Sequence, residues 1–600
     1  MAESQNITAH RHDGRPKRIV MCCDGTWKDQ LGENGSDPAS NVTRISRVLR
    51  RTCSDGTPQI ISYFPGVGTA NALDKFTGGA FGMGLDRDIR EVYNFICANY
   101  VDGDSIILIG FSRGAFTARS VADMVASLGL LTPDGLDHFY AVFEDYENMG
   151  DRHRRADQFV VPALPEYGGQ EGKEKIAWEN SRMGQYRLGL KSLGYTRDTY
   201  ADGVTEITIR ALGVWDTVGT LGIPPAPVVG IRGSADQWRF TNTQVSDKVE
   251  NAFQALALDE PRYAFRPALW ERIDGNRTNL KQVWFPGSHS NVGGGWPDQQ
   301  VANITLAWMC DQLSTVGVEF SRKRLTATFS TGLRYSAAHP FPFVARPLSP
   351  SSILSFFRPP APPLPWARPE VYRHPTSTTP PVRDDRPCEG VDHRHPDGSR
   401  TELWGTARPW GLGQTRNPTS AVQLLAGTTV RRPGLGMRVD PDTNEDLGEP
   451  LSRTGERIHS CVRVRLACRG LGLDDTGVWG CDALLKGEDG RPLWRVERGS
   501  GLAPEEEGRL RRGVVPPEVG RDGEEYPETQ LYPVTAADSQ WRWVFAGRSE
   551  GDGAGRVPQM TVLPEEPMVG YWERYLLAMT VGEPDVWRFG EDTAAVAGMP

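Results

Sequence analysis

The apolar run Ser105-Ile106-Ile107-Leu108-Ile109 leads directly into Gly110-Phe111-Ser112-Arg113-Gly114, and Ala115 to Leu131 continues with the pattern of a helix. A strand, a G-x-S-x-G turn and a helix, in that order, is the context in which a serine is lifted out of a sheet on a sharp corner. A side chain at either glycine would crowd the neighbouring strand or helix, and the serine itself must adopt a strained backbone conformation. The pentapeptide alone is a weak signal, and an ordinary glycine-rich βα turn is the bland alternative. With the strand before it and the helix after it, Ser112 is the candidate nucleophile.

The surrounding pattern extends this unit into a fold. Apolar strand-like runs cover Arg18 to Cys23, Gln59 to Phe64, Ser105 to Ile109, Ile207 to Trp215 and Leu280 to Phe285. Between them, Leu85, Ile89, Val92 and Ile96 share one face at helical spacing. Val249, Ala252, Phe253 and Leu256 show the same spacing, with Asp247 and Glu250 as an N-terminal cap pair. Alternating β and α patterns predict an α/β fold, an α/β-hydrolase-like mostly parallel sheet with helices on both faces. Ligands of such sheets bind beyond the carboxyl ends of the strands, where each motif discussed here falls.

Six hundred residues exceed what one core usually supports. The expected organisation is a flexible tail over 1–16, a catalytic domain over 17–335 with an insertion at 145–205, a proline-rich low-complexity segment at 336–413, an accessory region at 414–485 packed on the catalytic domain, and a Gly/Pro/charge-rich tail over 486–600. The insertion, with Asp151-Arg152-His153-Arg154-Arg155, reads equally as a cover over the site or a solvated excursion. In the proline-rich segment, Ile353 to Arg358 and Trp366 offer apolar side chains for peripheral membrane or partner contact, with a disordered linker as the plainer reading. Val462, Val464 and Leu466 signal renewed order, and Trp541, Trp543, Trp572, Tyr575 and Trp587 are expected to pack back on the main body. The C-terminal half is thus expected to be Pro/Gly-rich and partly disordered.

The formal net charge of -9 argues against nucleic acid as a partner. Nine cysteines are too sparse for a disulfide framework, and adjacent Cys22 and Cys23 lie in an apolar strand, which fits a reducing compartment. The polar stretch from Met1 to Lys17 has no signal-peptide core, and no apolar run is long enough to span a membrane. A cytoplasmic location is the expectation.

A serine hydroxyl needs a base, and the base needs an orienting acid. Asp216 ends the strand Ile207 to Trp215, and His289 follows the strand Leu280 to Phe285 in a loop that continues to Gly293-Gly294-Gly295. Ser112, Asp216 and His289 therefore stand in the Ser…Asp…His order of α/β-hydrolases. The chain has ten histidines, and His289 alone combines that order with a structured glycine-rich loop. Asp259 is the competing acid, at an expected helix end. Oxyanion donors would be the backbone N–H of Arg113 and that of Gly25 or Thr26, with Pro65 to Thr69 as another source. Asp24 reads as a residue orienting its loop. Asp24-Gly25-Thr26 also fits the second half of an aspartyl-phosphate phosphatase motif, but Cys22 stands where the nucleophilic aspartate belongs. Asp392-His393-Arg394-His395 is too local a cluster to define a metal site, and no dinucleotide or Walker-type loop occurs. No metal or cofactor is expected.

Seven blocks then occur in order: Cys23 to Trp27, Asn41 to Arg44, Tyr63 to Gly68, Gly110 to Ala115, Val214 to Gly219, Ala257 to Glu260, and Pro286 to His289. Over about residues 17 to 315 the chain resembles the α/β-hydrolase family that contains the type VI secretion phospholipase effectors, the first class of the Tle group. A weaker similarity to fungal members continues through 414–485. The resemblance implies a Ser-Asp-His triad at Ser112, Asp216 and His289, and hydrolysis of lipid acyl esters of the phospholipase A kind. One departure is Asn291, where the family commonly has aspartate two residues after the histidine. The resulting expectation is a serine hydrolase acting on a lipid or other ester. Its alternative is a non-catalytic interaction protein that keeps the hydrolase frame.

Overall fold

The computed structural model describes residues 16–25, 38–66, 79–218, 243–339, 341, 408–418, 427–439, 446–487, 490–499, 541–547, 560–578, 586, 590 and 596. The sheet strands are β1 (Arg18–Cys23), β2 (Gln59–Phe64), β3 (Ser105–Phe111), β4 (Ile209–Trp215), β5 (Asn251–Ala257), β6 (Asn279–Phe285), β7 (Glu456–His459), β8 (Trp494–Arg498), β9 (Trp541–Phe545) and β10 (Val562–Glu566). They form one ten-stranded sheet in the order β8-β9-β10-β7-β6-β5-β4-β3-β1-β2. Pairing is parallel from β2 across to β10, and only β9 runs against the rest, antiparallel to both β10 and β8. The expected α/β sheet is present.

Strands β1, β3, β4, β5 and β6 are buried along almost their whole length because helices cover both faces. On one face, α2 (Gly79–Asn99) presents Leu85, Ile89, Val92 and Ile96 to a core shared with α3 (Arg113–Leu128). On the other, α1 (Asn41–Val48) and α6 (Gln300–Ser314) pack with Trp215, Phe253 and Phe285.

The helix expected around 249–256 is instead strand β5, paired with β4 and β6. The cause is burial on both faces. A central parallel strand carries apolar residues at nearly every position, so a helix-spaced subset can always be picked from it. Asp259 accordingly follows a strand and not a helix.

The segment 145–205 packs along α3. Its helix α4 (Gly172–Ser192) lies along the flank of α3, where Arg187 donates to the carbonyl of Ala126. Thr196 donates to the carbonyl of Leu128, and Arg197 pairs with Asp102, which precedes β3. These contacts lie toward the amino ends of the strands, away from Ser112.

The C-terminal half builds part of the sheet. Trp410 is fully buried, and Arg408 makes a two-pronged pair with buried Asp475, so the proline-rich segment ends in packed structure. Most of that segment (340 and 342–407), Trp366 and the Asp392 to His395 cluster lie outside the described residues. Val462, Val464 and Leu466 fall in helix α7 (Ser460–Ala467), which is buried on every side. Trp541 and Trp543 belong to β9. Trp572 and Tyr575 lie in α8 (Tyr571–Ala578) against α6, and Trp587 is outside the described residues. None of the eight described cysteines forms a disulfide. Among the described residues no helix is long and apolar enough to cross a membrane.

Candidate functional site

The register of the sheet brings the strand ends together. Phe111 pairs with Trp215, Trp215 with Ala255, and Ala257 with Phe285, so the chain leaves β3, β4, β5 and β6 side by side. Ser112 turns out of β3 at φ 57°, and Asp216 turns out of β4 at φ 41°. Such conformations cost a non-glycine residue about 1–3 kcal/mol and persist where the surroundings enforce them. Here the Ser112 N–H donates to the Trp215 carbonyl at 3.1 Å and the Asp216 N–H to the Ala255 carbonyl at 2.7 Å. Packing explains both elbow glycines. A Cβ on Gly110 would meet the carbonyl of Gly114 at 2.5 Å, and one on Gly114 would run into the carbonyls of Cys23 and Asp24.

His289 opens the short helix α5 (His289–Gly293) and is 4% exposed. Its Nδ1 lies 2.6 Å from Asp216 Oδ2. An ionised carboxylate can only accept, so Nδ1 carries the proton and the lone pair sits on Nε2. That Nε2 is buried and has no hydrogen-bond partner among the described residues, Ser112 included. The ring is held between Phe111, at a centroid distance of 4.7 Å, and the edge of Phe265 at 5.0 Å. From below, Glu260 accepts from the His289 backbone N–H at 3.1 Å and is itself paired with Arg262. Burial pulls the imidazole below the usual histidine value, against the opposing pull of Asp216.

Asp216 is completely buried. Its Oδ1 accepts from the Ala257 N–H at 3.0 Å and from Arg431 Nη1 at 2.5 Å; its Oδ2 accepts from Arg431 Nη2 at 3.0 Å as well as from His289. Burial alone would raise this carboxyl, but the Arg431 guanidinium and then the His289 hydrogen bond outweigh it and hold the group well below the usual carboxylate range.

Ser112, Asp216 and His289 all lie at the carboxyl ends of neighbouring strands. Asp259 stands nearby but serves other groups, accepting from the Gly287 N–H at 2.6 Å and Trp479 Nε1 at 3.0 Å. Arg113 is the first residue of α3, where the helix supplies no acceptor for a backbone N–H. Gly25 lies against Ser112, since a Cβ built on it would sit 3.3 Å from the serine Cβ. Its N–H, however, points to Asp24 Oδ1 at 2.7 Å, which competes with the expected role as an oxyanion donor. Thr26 lies outside the described residues. Asn291 does not reach the imidazole. Its Oδ1 accepts from the Ser288 N–H and hydroxyl and from the Arg416 N–H, which caps α5 and ties it to the C-terminal half.

Asp24 is an organising residue, buried and accepting from Ser40 Oγ, Thr43 Oγ1 and Tyr63 Oη. Asp24→Asn is expected to lower stability by about 1–3 kcal/mol, because an amide nitrogen cannot accept and leaves a buried hydroxyl unsatisfied. Urea denaturation of both proteins checks this through the shift in midpoint at constant slope.

Sequence reasoning missed Arg431, Glu260 and Phe265. Glu260 lies within one of the seven blocks, whereas Arg431 stands in a glycine- and proline-rich stretch that carries no signal of its own.

Residues 17–312 match the family described as T6SS, phospholipase effector Tle1-like, catalytic domain. The chain carries a Tle1-like catalytic domain. All three of the residues at the strand ends fall within it, and Arg431 falls outside. The Saccharomyces cerevisiae protein YEL023C, uncharacterized, is 26% identical over 283 residues, which is 44% of this chain and 34% of the yeast protein. The chain thus spans about a third of that relative's length. Among solved structures, the Tle1 effector bound to the VgrG spike of the type 6 secretion system is similar at a TM-score of 0.28 and 16% identity, covering 55% of this chain and 80% of that one. An uncharacterized protein from Pseudomonas aeruginosa gives a TM-score of 0.26 and 14% identity, over 57% and 56%.

Proposed function

We propose that this protein is a serine hydrolase of carboxylic esters, acting on lipid acyl esters in the manner of a phospholipase A. The observation that carries the reading is the Asp216–His289 pair, poised with a free Nε2 lone pair beside a serine held at positive φ in a G-x-S-x-G turn. The Tle1-like domain supports lipid esters as the substrate class.

In this reading Ser112 Oγ attacks the acyl carbon while His289 Nε2 takes the hydroxyl proton. The serine–imidazole hydrogen bond, open here, tightens when substrate binds. The ester carbonyl electrons move onto oxygen, and the Arg113 N–H at the start of α3 stabilises that charge. As the tetrahedral adduct collapses, the alcohol leaves with the proton from Nε2. Water then attacks the acyl-serine with Nε2 again as base, releasing the carboxylic acid and restoring Ser112. Asp216 fixes the tautomer and the ring orientation throughout. The route uses only side-chain and backbone groups, and the substrate partner is a lipid or related ester.

The test is a time course with phosphatidylethanolamine or phosphatidylglycerol in mixed micelles, read by mass spectrometry. Equal release of free fatty acid and lysophospholipid is expected. Hydrolysis of short p-nitrophenyl esters with no attack on any phospholipid would move the reading to a non-lipid esterase.

A further inference from the structure

We infer that Arg431, from outside the Tle1-like domain, is a positioning residue that sets the orientation of Asp216 and the basicity of His289. The inference rests on the triad reading above. Its geometry is that of a built clamp. Arg431 is 3% exposed, and its two terminal nitrogens reach both oxygens of Asp216 in parallel. The same nitrogens donate to the carbonyls of Ala257 at 2.8 Å and Phe265 at 2.6 Å, so the guanidinium is fixed from β5 and from the loop that supplies the Phe265 ring. The chain is delivered there by backbone pairing. The Thr429 N–H donates to the Pro261 carbonyl, the Tyr263 N–H donates to the Gly427 carbonyl, and Arg262 bridges Thr428. A planar fork with five donors suits this task, whereas an ammonium could satisfy only one carboxylate oxygen well.

The electrostatic consequence follows from the charges around the imidazole. Those facing it are Asp216 from the end of β4, Glu260 and Arg262 from the loop after β5, and Arg431 across Asp216. Buried Glu260 pairs with half-buried Arg262, and Asp216 and Arg431 form a fully buried pair. His289 therefore meets an acid already neutralised by a guanidinium. Asp216 can orient the ring, but it offers the imidazolium less stabilisation than an unpaired carboxylate would. Neutral His289 is thus favoured, which keeps the base available at lower pH. Removing the guanidinium while Asp216 stays ionised raises the imidazole pKa, so the acidic limb of activity moves to higher pH.

The test uses the full-length wild type, Arg431→Met and Arg431→Lys, with kcat and KM for a p-nitrophenyl ester measured across pH. In parallel, the His289 imidazole is titrated by NMR, assigned with His289→Gln. For Arg431→Met, the acidic limb and the imidazole titration should both rise by about one pH unit or more, the range of a nearby opposite charge. The plateau kcat should fall at least tenfold with KM little changed. Arg431→Lys keeps the charge without the fork, so its limb should stay near wild type while kcat still falls. Wild-type titration and kcat in Arg431→Met would overturn the inference. If that variant does not fold, Arg431→Lys decides: an undiminished kcat overturns the inference, and a reduced kcat at unchanged KM and unchanged limb supports it. A wild type without esterase activity would instead count against the triad reading, and the NMR titration would still judge Arg431.

Discussion

Replacing Ser112 with alanine is expected to reduce ester hydrolysis by about 10⁴- to 10⁶-fold while leaving the fold intact, the scale on which triad members act as a unit. The side chain is small, its hydroxyl makes no hydrogen bond among the described residues, and its turn is held by the backbone bond to Trp215 and by the packing of Gly25, Gly110 and Gly114. Alanine meets the same positive φ as serine, so strain changes little. His289→Ala should lose activity on the same scale, and the double variant should lose little more, because the base has no function without its nucleophile. Steady-state kinetics beside thermal melting separates loss of chemistry from loss of fold. Independent, multiplying losses in the double variant would contradict the shared role.

A chain ended at residue 335, where the sequence places the boundary of the catalytic domain, is expected not to fold cooperatively. The cut removes β7, the parallel neighbour of β6, and leaves a long central strand as an open edge. It removes Glu566, the partner of buried Lys281, and Glu456, which accepts from Trp284 Nε1. It also strips Trp410, Val464, Trp572, Leu576 and Leu577 from the core around Trp308. Each such side chain contributes about 1.5–3 kcal/mol by burial, and breaking a buried ion pair costs about 3–5 kcal/mol. Together these losses are as large as the about 5–15 kcal/mol by which domains are stable. The check is circular dichroism and a melting scan of the shortened chain, with inclusion bodies or a broad, non-cooperative transition expected. A sharp transition would show that residues 17–335 stand alone.

What could be read from the sequence follows the strength of local constraint. The Ser112 turn was legible because an elbow needs glycines at fixed positions, Asp216 because it directly follows an apolar strand, and His289 because it lies in the glycine-rich loop after another. Strand β5 was not, because burial on both faces removes the alternation that marks a strand. The C-terminal strands hid for the opposite reason. β7 has four residues, Glu456 to His459, and buries polar groups through specific partners: Glu456 accepts from Trp284 and Thr454, and His459 donates through Nε2 to Glu573. No hydropathy pattern reports such a strand. Arg431 was invisible for a related reason. Its importance comes from what 427–431 pairs with about 165 residues upstream, and an arginine in a glycine- and proline-rich stretch carries no trace of that contact.

The most direct measurement is reaction of the folded full-length protein with a fluorophosphonate probe, followed by peptide mapping. Such probes phosphonylate a serine only when a neighbouring base activates it. One phosphonylated residue, Ser112, is expected in the peptide spanning the β3–α3 turn, with no labelling of Ser112→Ala or His289→Ala. Labelling of a different serine, or none in folded wild-type protein, would contradict it.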